Sequence, residues 1–185
     1  MKIRPYQTKD LKNVTDICEE TAFDSYKKDP VKLKTVPINF LDYFIEQEKE
    51  HVLVAVDEKD EAIGYIEATT SYPKFVQAME QIYLPRLQQI DPSEIEFEKR
   101  FLLALSCIED WPSHLHINLN GSYQHQGIGT KLIQALIDLL KKEGFHSLAI
   151  CCCQQGSNSY GFYKHFGFKE IFDYGKGIVS LGIKF

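Results

Sequence analysis

Hydrophobic residues recur along this chain with two periods, and the switches between them lay out its elements. Residues 2–6 read as a short edge-type strand, and Thr8 is placed to cap a helix whose Leu11, Val14, Ile17, Cys18 and Thr21 fall at helical spacing. After an irregular stretch over 22–29, residues 37–50 predict a second helix with Phe40, Leu41 and Phe44 turned inward. Residues 51–57 and 62–69 are strand patterns separated by a charged turn, which predicts an antiparallel hairpin. Helical spacing returns at Phe75, Ala78, Met79, Ile82 and Tyr83, and again from Phe97 to Ile108, where Ser93 and Glu96 have the spacing of a capping box.

From His114 to Leu119 the alternation is strict: Leu115, Ile117 and Leu119 share one face, and His114, His116 and Asn118 share the other. A glycine-containing turn then opens a strongly amphipathic helix carrying Ile128, Leu132, Ile133, Leu136, Ile137 and Leu140, which closes on Lys141, Lys142 and Gly144. Residues 145–153 predict a buried strand, 157–165 a short helix, and 168–172 and 177–185 the closing strands. The order β-α-α-β-β-(αα)-β-α-β-α-β-β describes a mixed α/β sheet, expected as a single domain over 1–185.

Composition narrows the picture. A chain of 185 residues that is 44% hydrophobic and 25% charged has enough apolar material for one full-sized core. A net charge of −5 without any Lys/Arg cluster argues against nucleic acid and favours a basic or neutral substrate. No stretch approaches the roughly 18 apolar residues of a membrane span, and the first residues lack a leader's apolar run, so a cytoplasmic protein with no membrane partner is expected. The five cysteines lack Cys-x-x-Cys spacing and are odd in number, which fits a reducing compartment and no metal. Within Cys151, Cys152 and Cys153, strand alternation would send successive thiols to opposite faces, so a buried strand is expected there rather than redox or acyl-enzyme chemistry.

The candidate chemistry begins at the turn Gln124, His125, Gln126, Gly127, Ile128, Gly129, Thr130. A helix N-terminus offers unpaired N–H groups and the positive end of a dipole, and glycines let an anion approach the backbone, so this turn suits a pyrophosphate. Leu132 occupies the place of the third glycine of the dinucleotide fingerprint, and no Gly-Lys-Ser/Thr completes a Walker loop.

Just beyond the next strand lies Asn158-Ser-Tyr-Gly161-Phe162-Tyr163-Lys-His-Phe-Gly167-Phe168. With the glycine turn, it resembles the GNAT superfamily of acyl-CoA N-acyltransferases, matching at Gln124, Gly127, Gly129, Tyr163, Gly167 and Phe168. The family's alanine falls on Ser159 and its asparagine on Gly156, so Asn158 stands two residues late. Residues 112–119 further resemble the bacterial branch akin to the acetyltransferase-like domain of O-GlcNAcase, with Asn118 where an acidic residue is expected.

The resemblance implies a mixed, mostly antiparallel sheet flanked by helices, with a helical insertion over 71–110 between the third and fourth strands. That insertion either covers the acceptor side or forms a homodimer surface. The implied cofactor is acetyl-CoA, with backbone groups of Ile117 to Leu119 on its pantetheine and those of residues 125–130 on its pyrophosphate. The implied activity is acetyl transfer to the primary amine of a small molecule or peptide, by direct transfer in a ternary complex. The rival reading is an inactive acyl-CoA-binding module. Tyr163 is either the general acid or a core aromatic, Asn158 either a helix cap or a cofactor contact, and the base either His116, His114 or Glu67 acting through water.

Overall fold

In a computed structural model describing Met1–Phe185, seven strands form one sheet: β1 (Lys2–Pro5), β2 (Val52–Val56), β3 (Ala62–Thr69), β4 (His114–Leu119), β5 (Ser147–Gln154), β6 (Lys169–Gly175) and β7 (Ile178–Lys184). Their spatial order is β1-β2-β3-β4-β5-β7-β6, and every neighbouring pair is antiparallel except β4 and β5. This is the mixed, mostly antiparallel arrangement expected, and the predicted hairpin is β2 with β3.

Ten helices flank the sheet: α1 (Leu11–Glu20), α2 (Asp24–Lys27), α3 (Pro30–Leu33), α4 (Val36–Phe40), α5 (Asp42–Gln47), α6 (Tyr72–Ala78), α7 (Leu84–Ile90), α8 (Glu94–Ser106), α9 (Ile128–Lys142) and α10 (Asn158–Phe166). One face of the sheet packs on α9, whose Leu132, Ile133, Leu136 and Leu140 are fully buried in one cluster with Leu53, Ile66, Leu115 and Leu148. Each such aliphatic side chain contributes about 2 kcal/mol of burial. On the other face, α1 presents Val14 and Ile17 to Val54 and Tyr65. Beside it, Phe75, Met79, Leu87, Leu102 and Leu105 from α6 to α8 form a further cluster with Val52 and Ala149.

α9 ends where its sequence says. Gly144 takes φ +86°, and Phe145 N–H reaches Leu140 O at 3.0 Å while Gly144 N–H reaches Lys141 O at 3.1 Å, closing a Schellman motif.

Four local expectations fail for identifiable reasons. Thr8 lies inside a short 3₁₀ turn rather than capping α1, and Asp10 Oδ2 accepts from Gln7 N–H instead. The helix expected over 37–50 breaks into α4 and α5 at Leu41, whose backbone leaves the helical region (φ −140°) as its side chain is buried to 1% exposure. Ser93 makes no capping bond to α8; its N–H and hydroxyl both donate to Asp91 Oδ1. The first helix of the 71–110 segment continues through a π turn at Met79–Tyr83 into α7. Pro85 has no N–H to return to Gln81, and the wider turn accommodates that loss.

Glu48 ties the end of α5 to the end of β3. Its Oε1 accepts from Tyr43 and Thr69 hydroxyls, and its Oε2 accepts from Thr70 N–H, Thr70 Oγ1 and His51 Nδ1. His51 Nε2 in turn donates to Glu143 Oε2 at 2.7 Å, reaching the end of α9. Burial alone would raise the Glu48 carboxyl, but donation from His51, Thr69, Tyr43 and Thr70 outweighs it and brings it down to about 2 from an ordinary 4.5.

A depressed carboxylate contributes stability that is complete above its ordinary value and is lost as pH falls toward its folded value; here that is roughly 3 kcal/mol. Urea midpoints of the wild type and Glu48→Gln should therefore differ most near about pH 6 and converge as pH falls through about 4 toward about 2. A difference that stays constant over that range would contradict an ionised Glu48 hub.

Candidate active site

The parallel neighbours β4 and β5 meet at a single register position, His114 with Ala149, where Ala149 N–H donates to Ser113 O at 2.9 Å. Backbone groups alternate sides along a strand, so those of Leu115, Ile117 and Leu119 face β5, as Ser113 does. The ladder has already ended there. A cleft opens between two strands of an otherwise continuous sheet.

At the wide end of the cleft the chain turns into α9. His125 (φ +60°) and Gly127 (φ +74°) both take the left-handed conformation, a costly one for His125. Gly127 is the N-cap of α9 and provides no side-chain cap, and the first intrahelical bond is from Lys131 N–H to Gly127 O. The N–H groups of Ile128, Gly129 and Thr130 are therefore left for an anion, with no acidic residue in the first turn to compete.

These groups line a cavity of about 470 Å³ together with Ile117, Asn118, Leu119, Gln124, His125, Asn158 and Tyr163. One end offers backbone donors and the other apolar walls, a donor set that fits a diphosphate followed by an uncharged chain. Gln124 Nε2 donates to Leu119 O at 3.3 Å, tying the turn to the strand. Of the ten residues expected around the cofactor, Gln126 alone does not line this cavity; its side chain donates to Ser122 O instead.

α10 brings Tyr163 and Asn158 to the cavity. Ser157, rather than Asn158, caps this helix, accepting from Tyr160 N–H at 3.1 Å, which leaves the Asn158 side chain at the cavity wall. The Tyr163 ring packs against Phe162 and Phe168 at 5.3 and 5.4 Å, so its body is core, as one reading had it. Its hydroxyl makes no hydrogen bond to the protein. Burial, with a smaller contribution from Cys153, raises its pKa and keeps the phenol protonated.

Across β3 and β4, Glu67 is the register partner of His116. His116 Nδ1 lies 3.1 Å from Phe40 O and 3.3 Å from Glu67 Oε1. A carbonyl only accepts, so Nδ1 carries the hydrogen and Nε2 keeps its lone pair. Burial lowers the imidazole to about 4 despite the Phe40 carbonyl. Glu67 is fully buried, and desolvation followed by repulsion from Asp42 raises its pKa well above the ordinary carboxyl value. It does not line the cofactor cavity and stands behind His116, with Oε2 unpaired. His114 is buried as well and lowered to about 3 by desolvation.

His116 separates two further spaces. A small one of about 120 Å³ shares Thr21 and Asn118 with the cofactor cavity. A larger chamber of about 270 Å³ shares His116, Phe40 and Phe23 with the small one. Its walls come from α4, α5, α6, α8, β4 and β5, which is why no local spacing in the sequence pointed to it. The cysteine run also departs from expectation. A bulge between Ile150 and Cys153 puts Cys152 at φ +56°, so the Cys151 and Cys152 thiols lie 3.3 Å apart on the chamber wall instead of on opposite faces.

An antiparallel sheet opened at one parallel pair, with a glycine turn and uncapped helix at the opening, defines an acyl-CoA-binding acetyltransferase fold. Residues 12–168 match the model of the acetyltransferase (GNAT) family, and the chain belongs to that family. Its cofactor is acetyl-CoA. A crystal structure of a protein named SsHAT has a TM-score of 0.85 at 24% identity, over 99% of this chain and 97% of that one. The PaiA N-acetyltransferase from Thermoplasma acidophilum in complex with coenzyme A has a TM-score of 0.59 at 16% identity, over 100% and 98% of the two chains. A phosphinothricin acetyltransferase from Sinorhizobium meliloti in complex with AcCoA has a TM-score of 0.60 at 17% identity, over 99% and 87%. At these identities the likenesses speak for the fold. Comparison with curated proteins gave no match.

Because burial depresses His116, its imidazole should keep the neutral, Nδ1-protonated signature in nitrogen NMR from about pH 8 to about pH 5 and take up a proton only near about 4. Titration centred on the ordinary 6.5 would contradict the desolvated, carbonyl-fixed geometry of this half-buried ring.

Proposed function

We propose that the chain is an N-acetyltransferase that moves the acetyl group of acetyl-CoA to a primary amine by direct transfer in a ternary complex. The observation that carries this reading is the order of parts along the β4 cleft: phosphate cradle, free tyrosine hydroxyl, neutral histidine, apolar chamber. Bound acetyl-CoA supplies an acetyl group already activated as a thioester.

The chain's own residues supply the rest. N–H groups of Ile128, Gly129 and Thr130 hold the diphosphate end, with Gln124 and His125 shaping the turn and Asn158 contacting the cofactor from α10. The cleft-facing backbone of Ile117 and Leu119, with Leu119 O already taken by Gln124, holds the pantetheine amides and offers a donor to the acyl oxygen. His116 Nε2 takes the proton from the attacking amine, while Glu67 Oε1 and Phe40 O keep Nδ1 as the protonated nitrogen. Glu67 is thus a positioning residue rather than a base acting through water. Tyr163 holds on its hydroxyl the proton that a departing sulfur needs.

A thiol-release assay with acetyl-CoA and a panel of primary amines tests the reading. Tyr163→Phe should lower turnover by about a hundredfold or more while leaving CoA affinity nearly unchanged. Equal loss of both would make Tyr163 a structural aromatic. Gly127→Glu should remove thermal stabilisation by CoA, since it places a carboxylate against the phosphate cradle. Stabilisation by CoA without thiol release for any amine would instead identify an inactive acyl-CoA-binding module.

A further inference from the structure

We propose that the chamber behind His116 is the acceptor site and that it selects a primary amine on a short chain attached to one aromatic ring, bearing a neutral hydrogen-bonding group and no negative charge. This rests on the N-acetyl transfer reading and specifies its substrate class.

Size sets the first limit. An apolar cavity of about 150 Å³ accommodates benzene, so a chamber of about 270 Å³ has room for one ring and a short chain. Six phenylalanines line it: Phe23, Phe40, Phe44, Phe75, Phe97 and Phe101. Phe40 and Phe97 meet edge to face at 6.5 Å, and Phe75 meets His114 edge to face at 4.9 Å, so ring faces and edges are already fixed for a further aromatic. Phe23 and Phe97 are the solvent-exposed members, at 66% and 39%, and mark the mouth.

Charge sets the second limit. No lysine or arginine lines the chamber. A carboxylate or phosphate on the acceptor would enter without a counter-charge, and the polar surface of a sugar or a polyamine would find too few partners. The phenylalanine faces suit a cation, so an ammonium is tolerated on its way to Nε2.

Two unpaired polar side chains set the third. Asn39, 5% exposed, has no hydrogen-bond partner at Oδ1 or Nδ2, and His114, also 5% exposed, has none at Nε2; both line the chamber. Buried amides are costly to leave unpaired, and a neutral substituent on the acceptor ring would pair with them.

Thiol-release kinetics with acetyl-CoA and tyramine, phenethylamine, tyrosine, spermidine or glucosamine test this. Tyramine should lead in kcat/KM, with tyrosine, spermidine and glucosamine lower by about a hundredfold or more. Asn39→Leu should lower kcat/KM for tyramine on the order of tenfold, leave phenethylamine nearly unchanged, and keep wild-type CoA affinity as the sign of an intact fold. Spermidine or glucosamine matching or exceeding tyramine would leave N-acetyl transfer standing and overturn the aromatic acceptor. Tyrosine equal to tyramine would do the same, with no variant needed. No thiol release from any amine would remove the transfer reading and this inference together.

Discussion

The parting of β4 from β5 is the constraint on which the rest depends. A sheet normally pairs each backbone group with its neighbour, because an unpaired buried N–H or C=O is costly. Here pairing stops after His114 and Ala149. Two features hold the strands in that relation. The ring of Trp111, just before β4, lies so close to Gly182 of β7 that any Cβ there would sit 2.6 Å from it, which fixes where β4 begins. On the other side, the bulge at Cys152 bends β5 away from the continuing line of β4. A ligand with its own amides suits the cleft-facing backbone of Ile117 and Leu119, and the pantetheine of the family's cofactor has them.

Polar groups away from the cleft are treated differently from those around it. The Arg4 guanidinium meets both oxygens of Asp10, at 2.7 and 2.9 Å, and Glu48 is saturated by five donors. Around the chamber, Asn39, His114 and Glu67 each retain a buried atom without a partner. The Arg4 and Glu48 groups are paired within the fold, while Asn39 and His114 on the chamber wall are left with capacity to spare. Glu98 on α8 also keeps both oxygens unpaired, and burial with repulsion from Glu94 raises it to about 8, so it stands neutral near physiological pH.

Much of this was legible in the sequence where the determinants are local. The alternation of His114 to Leu119, the amphipathic run of α9, its glycine stop and the turn between them all follow from period and spacing. Apart from Thr21, the cavity beside the glycine turn is lined from that one stretch and α10, so most of its lining residues are neighbours in sequence. The acceptor half is assembled from side chains scattered between Phe23 and Cys152, and its strongest members, Phe40 and Asn39, read as core or helix positions. Leu41 and Cys152 explain why: tertiary burial broke one predicted helix, and a bulge reversed the side-chain parity of one predicted strand. Neither leaves a signal in hydrophobic period.

Amide hydrogen exchange with and without CoA tests the open cleft most directly. The account predicts that CoA slows exchange at Ile117 and Leu119 of β4 and at Ile128, Gly129 and Thr130 of α9, while the β1–β2 ladder is unchanged. Unaltered exchange at Ile117 and Leu119 in the presence of saturating CoA would contradict it.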